Sequence, residues 1–231
     1  MHRLSLIITL FLLWNQATMA QLSYEDVRYE AIPFRMVKTY LDSQREKAQV
    51  DCFADLRPTC ENIEDFSAFY RYRRQYSFKQ PIEQVWEAYR KANPTEAWTT
   101  KKSSCGLMYE RESDRIIYPA DSVDGIMNGQ ILYMDIKLIR GLYHLATAFE
   151  ITKVEDELGI IEVNYTESGI NEGKQIIQMF ETENGRTRIV HTTFIRSGNK
   201  IRDKYLYPYF HTRLINSFHR KMKRLIARSE S

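Results

Sequence analysis

Apolar and polar positions divide this chain into four stretches. In the first, Leu4 to Trp14 is an apolar run broken only by Ser5 and Thr9. His2 and Arg3 precede it, Asn15-Gln16 ends it, and Thr18-Met19-Ala20 places small residues where a signal peptidase reads. The run of about eleven residues is too short for a spanning helix, which needs roughly 20. The pattern predicts a signal peptide over residues 1–20, cleaved near Ala20, and an exported chain (periplasmic or extracellular) beginning at Gln21.

The second stretch, residues 21–68, is predicted to be a helical N-terminal extension. Val37, Tyr40 and Leu41 share one side of a helix-leaning segment, Pro33 opens or interrupts it, and a cysteine-containing loop follows. The third stretch starts near Phe69. Tyr70, Tyr72, Tyr76 and Phe78 alternate with polar residues, which is the period of a half-buried strand. Pro81 then opens a helix over residues 82–91 with Val85, Trp86 and Tyr89 as its apolar stripe, and Asn93-Pro94 starts a shorter one. A train of strands follows from Leu107 to Arg196. It is punctuated by turn signals at Ser113-Asp114, Arg140-Gly141, Glu157 to Gly159, Gly169 to Gly173 and Asn184-Gly185. Connections this short imply antiparallel neighbours.

The fourth stretch, Lys200 to Arg228, repeats Tyr209, Phe210, Leu214, Phe218, Met222 and Leu225 at helical steps. Pro208 inside it either kinks one long helix or marks its true start. The predicted fold is α+β. A curved antiparallel sheet of about seven strands wraps a long C-terminal helix, with the helical extension added at the front.

Two passages give this order a family likeness. One is Tyr76-Ser77-Phe78 through Pro81-Ile82-Glu83-Gln84-Val85-Trp86; the other is Gly185-Arg186-Thr187-Arg188-Ile189-Val190 through Ile195 and the amphipathic helix to Leu225. Residues 69–231 thus resemble the helix-grip domain of the START-related superfamily, also called SRPBCC. That group includes lipid-transfer domains, plant pathogenesis-related allergens and polyketide cyclases. The resemblance implies a cavity between sheet and helix that holds an apolar or amphipathic ligand. It supplies no shared catalytic set to carry over, and residues 21–68 lie outside it.

Composition and charge narrow the function. The chain is 43% hydrophobic and 27% charged, with fifteen tyrosines and eleven phenylalanines, as in a globular domain with large aromatic surfaces. The last helix holds nine Lys or Arg and one Asp, although the whole chain is only +3. Its basic face either is solvated or meets an anionic membrane surface or acidic partner. No motif of a nucleic-acid reader is recognised, and nucleic acid is not among the expected partners. Export makes a disulfide possible, and Cys52 and Cys60 enclose a short loop with Pro58 inside it. Their bridging is predicted, with a contribution of roughly 2–3 kcal/mol, and Cys105 is left as a free thiol. Asn164-Tyr165-Thr166 is a glycosylation sequon.

No GxSxG, HExxH, GxGxxG or Walker A pattern occurs. Gly169 to Lys174 mimics a P-loop, but its spacing is one short and Gln175 stands where Ser or Thr would bind magnesium. It is better read as a hairpin turn. His211 and His219 are eight residues apart on the last helix, about 80° around it and roughly 12 Å along it, and cannot share a metal ion. They are read as ordinary surface or core histidines. His191 enters the cavity if Ile189, Thr193 and Ile195 face inward with it. Arg74 shares the pattern face of the tyrosines, where a charge needs a partner.

The predicted ligand contacts are Tyr72, Arg74, Tyr76, Met134, Ile136, Tyr165, His191, Tyr209 and Phe210, with no catalytic set, cofactor or metal. The leading reading is a binding protein for a hydrophobic or amphipathic small molecule. A cyclase- or hydrolase-type enzyme using His191 and Arg74, and an envelope- or partner-binding module using the basic helix, are the alternatives.

Overall fold

A computed structural model describes residues 21–61 and 63–229; the expected signal peptide lies outside them. Eight strands form one antiparallel sheet. In chain order they are β1 (Tyr70–Phe78), β2 (Ser103–Glu110), β3 (Arg115–Ile117), β4 (Gln130–Leu138), β5 (Tyr143–Glu155), β6 (Ile160–Tyr165), β7 (Glu172–Glu181) and β8 (Thr187–Arg196). Their spatial order is β1-β8-β7-β6-β5-β4-β2-β3. The chain's one long jump, from β1 to β2, carries α2 (Ile82–Lys91) and α3 (Pro94–Ala97). Asn93 caps α3 by accepting the Thr95 and Glu96 amides, and Pro94 sits at its first position, where no N–H is needed. The long C-terminal helix α4 (Tyr207–Ser229) lies on one face of the sheet. This is a helix-grip α+β fold, as the sequence pattern predicts.

Pro208 is the second residue of α4, and a π-helical turn, Arg202–Leu206, precedes it. The helical repeat across Lys200 to Arg228 therefore spans two segments. A proline lacks an N–H to donate, so it is accommodated where the hydrogen-bond ladder changes pitch.

The sheet buries both faces. Toward α4 lie Met108, Leu132, Met134, Phe149, Val163, Ile177 and Ile189, packed with Phe218, Met222 and Ile226. On the other face, Leu107, Tyr109, Ile131, Tyr133 and Ala148 pack against the extension, which contributes Tyr24, Val37, Leu41, Phe53 and Leu56. Helix α1 (Arg35–Ala48) supplies Val37 and Leu41. This second cover explains why β2 is buried at every position, a pattern that simple alternation does not produce.

The cysteine loop corrects the disulfide expectation: Cys52 and Cys60 are unpaired, as is Cys105. Between them, Phe53 stacks on Tyr24 and Tyr109 at 4.2 and 5.1 Å, and Leu56 is buried. Pro58 bridges to Thr166, and the Thr59 amide donates to the Tyr165 carbonyl at 2.8 Å. These anchors draw the segment across the sheet's outer face. Cys52 is left beside the Gln21 carbonyl, and Cys60 near Glu172 and Arg196. Burial pushes the Cys105 thiol up to about 12, which makes it a poor nucleophile in the folded chain. Thiol titration of the denatured, unreduced protein should therefore find three free thiols. In the native protein the half-buried Cys52 should react first; a count of one would restore the bridge.

The sequon residue Asn164 is buried within the sheet, where its side-chain amide donates to Thr152 Oγ1 at 2.6 Å. Among the described residues, no helix is long and apolar enough to cross a membrane.

Candidate functional site

A cavity of about 490 Å³ lies between α4 and the β4–β5–β6 part of the sheet. Ile136, Leu145, Tyr165, Phe210, His211 and Leu214 are among its walls. Alternation on β4 and helical spacing on α4 bring these apolar side chains to one space. A larger groove, about 1650 Å³, runs over the outer face, but it is wide and charged. Its Arg111 pairs with Glu150 at 2.8 Å and its Lys174 with Glu162 at 3.1 Å. With these charges already paired, the apolar cavity is the better ligand site.

One wall of the cavity is the end of a buried polar chain. Gln175 on β7 and His191 on β8 are diagonal neighbours, since Gln175 pairs with Thr193 and Ile177 with His191. His191 Nε2 and His211 Nε2 each lie 3.0 Å from Gln175 Oε1. His191 Nδ1 lies 3.0 Å from His219 Nε2, and His219 Nδ1 lies 2.7 Å from the Tyr89 hydroxyl.

A single proton pattern satisfies every link. A carbonyl oxygen only accepts, so both Nε2 atoms facing Gln175 donate. His191 Nδ1 then accepts from His219 Nε2–H, and His219 Nδ1 accepts from Tyr89 O–H. Each ring carries one proton and is neutral, and burial favours that state. Burial, followed by the neighbouring His219 and His211, holds His191 well below its ordinary value. Burial brings His211 to about 3. His219 is also lowered to about 3, by burial and then by Lys223. The aromatic rings around them are close: Tyr76 stacks on His219 at 3.9 Å and Tyr207 on His211 at 4.8 Å. Tyr207 also shares a 2.7 Å hydrogen bond with Tyr165, whose hydroxyl burial pushes up to about 12.

Of the ligand contacts expected from sequence, Ile136, Tyr165 and Phe210 line this cavity. Met134, two residues before Ile136, is fully buried in the core and is not among the lining residues. His191 faces inward but stands behind Gln175 and His211. Tyr72 donates its hydroxyl to the Asp203 carbonyl at 2.5 Å, and Tyr76 donates to Asn216 at 2.7 Å, so both hold α4 and the turn before it to β1. Arg74 is exposed on β1, the sheet's edge strand, where its charge reaches water. Tyr209 is half-exposed beside the cavity and carries Arg213 over its ring at 4.1 Å. His211 and His219, expected from sequence as ordinary surface or core histidines, are buried and belong to this polar chain, as do Gln175 and Tyr89, which were not expected at the site. Among the described residues, no three His, Cys, Asp or Glu side chains form a group that could hold a metal ion.

No protein-family model matches this sequence, and no curated protein matches it. Solved structures do. A truncated norcoclaurine synthase from Thalictrum flavum shares 12% identity over 68% of this chain and 93% of its own, with a TM-score of 0.50. A conserved protein from Geobacillus kaustophilus gives 15% identity, 69% and 97% coverage and a TM-score of 0.49. A Thermus thermophilus protein gives 12%, 70%, 100% and 0.48. At 12% identity the likeness to the Thalictrum flavum structure is one of fold, and it agrees with a helix-grip domain.

Proposed function

We propose that this chain is an exported binding protein that holds a hydrophobic or amphipathic small molecule between its sheet and α4. The observation that carries this reading is the apolar cavity of about 490 Å³, walled by Ile136, Leu145, Phe210 and Leu214. That volume is within the range of small-molecule sites. Its polar lining includes Thr147, Tyr165, Asn171, Arg202 and His211. His211 Nε2 is occupied by Gln175, so a ligand's polar group would meet the ring's Nδ1, the Tyr165–Tyr207 hydroxyl pair or the Arg202 guanidinium.

The fold also carries catalysts, as the name of the Thalictrum flavum protein indicates. Here the histidines favour binding. A ring whose proton affinity burial has lowered to about 3 is a weak base at neutral pH. It is better suited to orienting a ligand than to taking its proton.

The test is titration of a fluorescent fatty-acid probe into delipidated protein. Binding should saturate, and Leu214→Trp, which places an indole in the cavity, should weaken it by at least about tenfold, or 1.4 kcal/mol. Arg74→Ala, on the exposed edge strand, should leave it unchanged. Saturable binding indifferent to Leu214→Trp would place the probe elsewhere, and no binding would overturn the reading.

A further inference from the structure

We propose that the mouth of the cavity is a docking face for an anionic lipid bilayer, so that the ligand passes directly between membrane and cavity. This rests on the reading that the cavity holds an apolar or amphipathic molecule. It names the source of that molecule.

The observation is where the exposed apolar side chains fall. Ile139 and Leu142 stand on the β4–β5 turn, Ile170 on the β6–β7 turn, and Tyr205, Leu206 and Tyr209 on the π-turn and the first turn of α4. Leu142 is 86% exposed, Ile170 65% and Tyr205 61%. The same three segments supply Leu138, Tyr143, Ile170, Leu206 and Phe210 to the cavity wall. The exposed set is therefore the rim of one opening, formed by segments far apart in sequence. Single apolar residues on a surface need no explanation, but a ring of them around an apolar cavity does. The β4–β5 turn also places Ile139 and Arg140 in the left-handed region, at φ 45° and 57°, with both side chains outward. A β-branched residue rarely adopts that conformation.

Charge selects the occupant. Arg140, Lys200, Lys204 and Arg213 are exposed on the rim segments or beside them. Lys204 lies 5.3 Å over the Tyr205 ring, so a cation and an aromatic ring stand together at the surface. The acidic groups of the same segments are engaged. Asp203 is buried and accepts from the Ser197 amide and hydroxyl. Glu172 pairs with Arg196 at 2.7 Å, and Glu167 accepts the Arg57 amide. Apolar and aromatic tips ringed by cations match the interface of a bilayer with anionic headgroups.

The experiment is flotation of the full protein with phosphatidylcholine vesicles, with and without phosphatidylglycerol. Wild-type protein should float with the anionic vesicles and be released by salt. The double variant Leu142→Glu, Tyr205→Glu changes two exposed residues that do not line the cavity. It should lower vesicle partition by at least about tenfold while leaving the fatty-acid probe's affinity in free solution unchanged.

Vesicle binding that is absent, or indifferent to these substitutions, overturns the docking face even if the probe still binds. Vesicle binding lost in the double variant, with no probe bound by either protein, keeps the docking face and overturns the ligand reading instead. Self-association of the wild type without lipid, abolished by the double variant, would assign the rim to a second copy of the chain and overturn the proposal.

Discussion

Lowering the pH from about 7.5 to about 5.5 should destabilise the folded chain by about 4 kcal/mol, through His191, His211 and His219 together. Unfolded, each ring titrates near its ordinary value of 6.5. Folded, His211 and His219 stay neutral down to about 3, and His191 is held well below its ordinary value. Between those limits the unfolded chain binds more protons than the folded one, so stability falls as pH falls. Above the unfolded value both states are neutral and these groups add no pH dependence. Each ring contributes about 1.4 kcal/mol over this interval. Among the described residues, no carboxylate is hydrogen-bonded to any of the three rings, and the nearby Lys223 further opposes protonation of His219.

Urea unfolding at several pH values measures the effect. His211→Gln should remove about a third of it. A stability flat across this interval would mean that the three rings are not buried together.

The same cluster marks the limit of what sequence patterning reveals. The strands, the short helices and α4 follow from periods of two and 3.6, because each has one face in a core and the pattern records that face. Ile136, Tyr165 and Phe210 were legible as cavity residues for the same reason. Arg74 stands on the same alternation, yet β1 is an edge strand, and an edge offers a long cation a way to water.

The second covered face was invisible for a different reason. Tyr133 falls among the polar partners of Leu132 and Met134, and only the extension, distant in sequence, buries it. The cysteines misled because spacing says how far apart two residues can be, not where the intervening chain is pulled. Phe53 and Leu56 anchor that chain to the sheet. The polar chain had no local signal at all. Gln175, His191, His211 and His219 meet only through strand register and the seating of α4. His211 and His219 do not bond each other; they join through partners on the sheet.

Replacing Trp98 by Ala should destabilise the fold by about 3–5 kcal/mol, the usual range for a deleted core aromatic. The sequence pattern assigned the core tryptophan to Trp86, on the apolar stripe of α2. Trp86 is only half-buried, and its indole N–H donates to Asp156 at 2.8 Å at the surface. Asp156 keeps its ion pair with Arg90, at 2.6 Å, whether or not the indole is present. Trp98 is buried at the end of α3, with its ring stacked on Phe218 of α4 at 4.1 Å and 15° and tilted against Phe149 of β5 at 4.9 Å. It is thus wedged between the sheet and the helix that the sheet grips. Its removal would leave a void between layers whose backbones are fixed by the strand ladder and by α4, so collapse into the space is limited. Trp86→Ala removes area from a site already open to water and should cost under about 2 kcal/mol. Urea midpoints at unchanged slope give both numbers. Equal losses, or a larger one for Trp86, would mean that α3 does not seat Trp98 between β5 and α4.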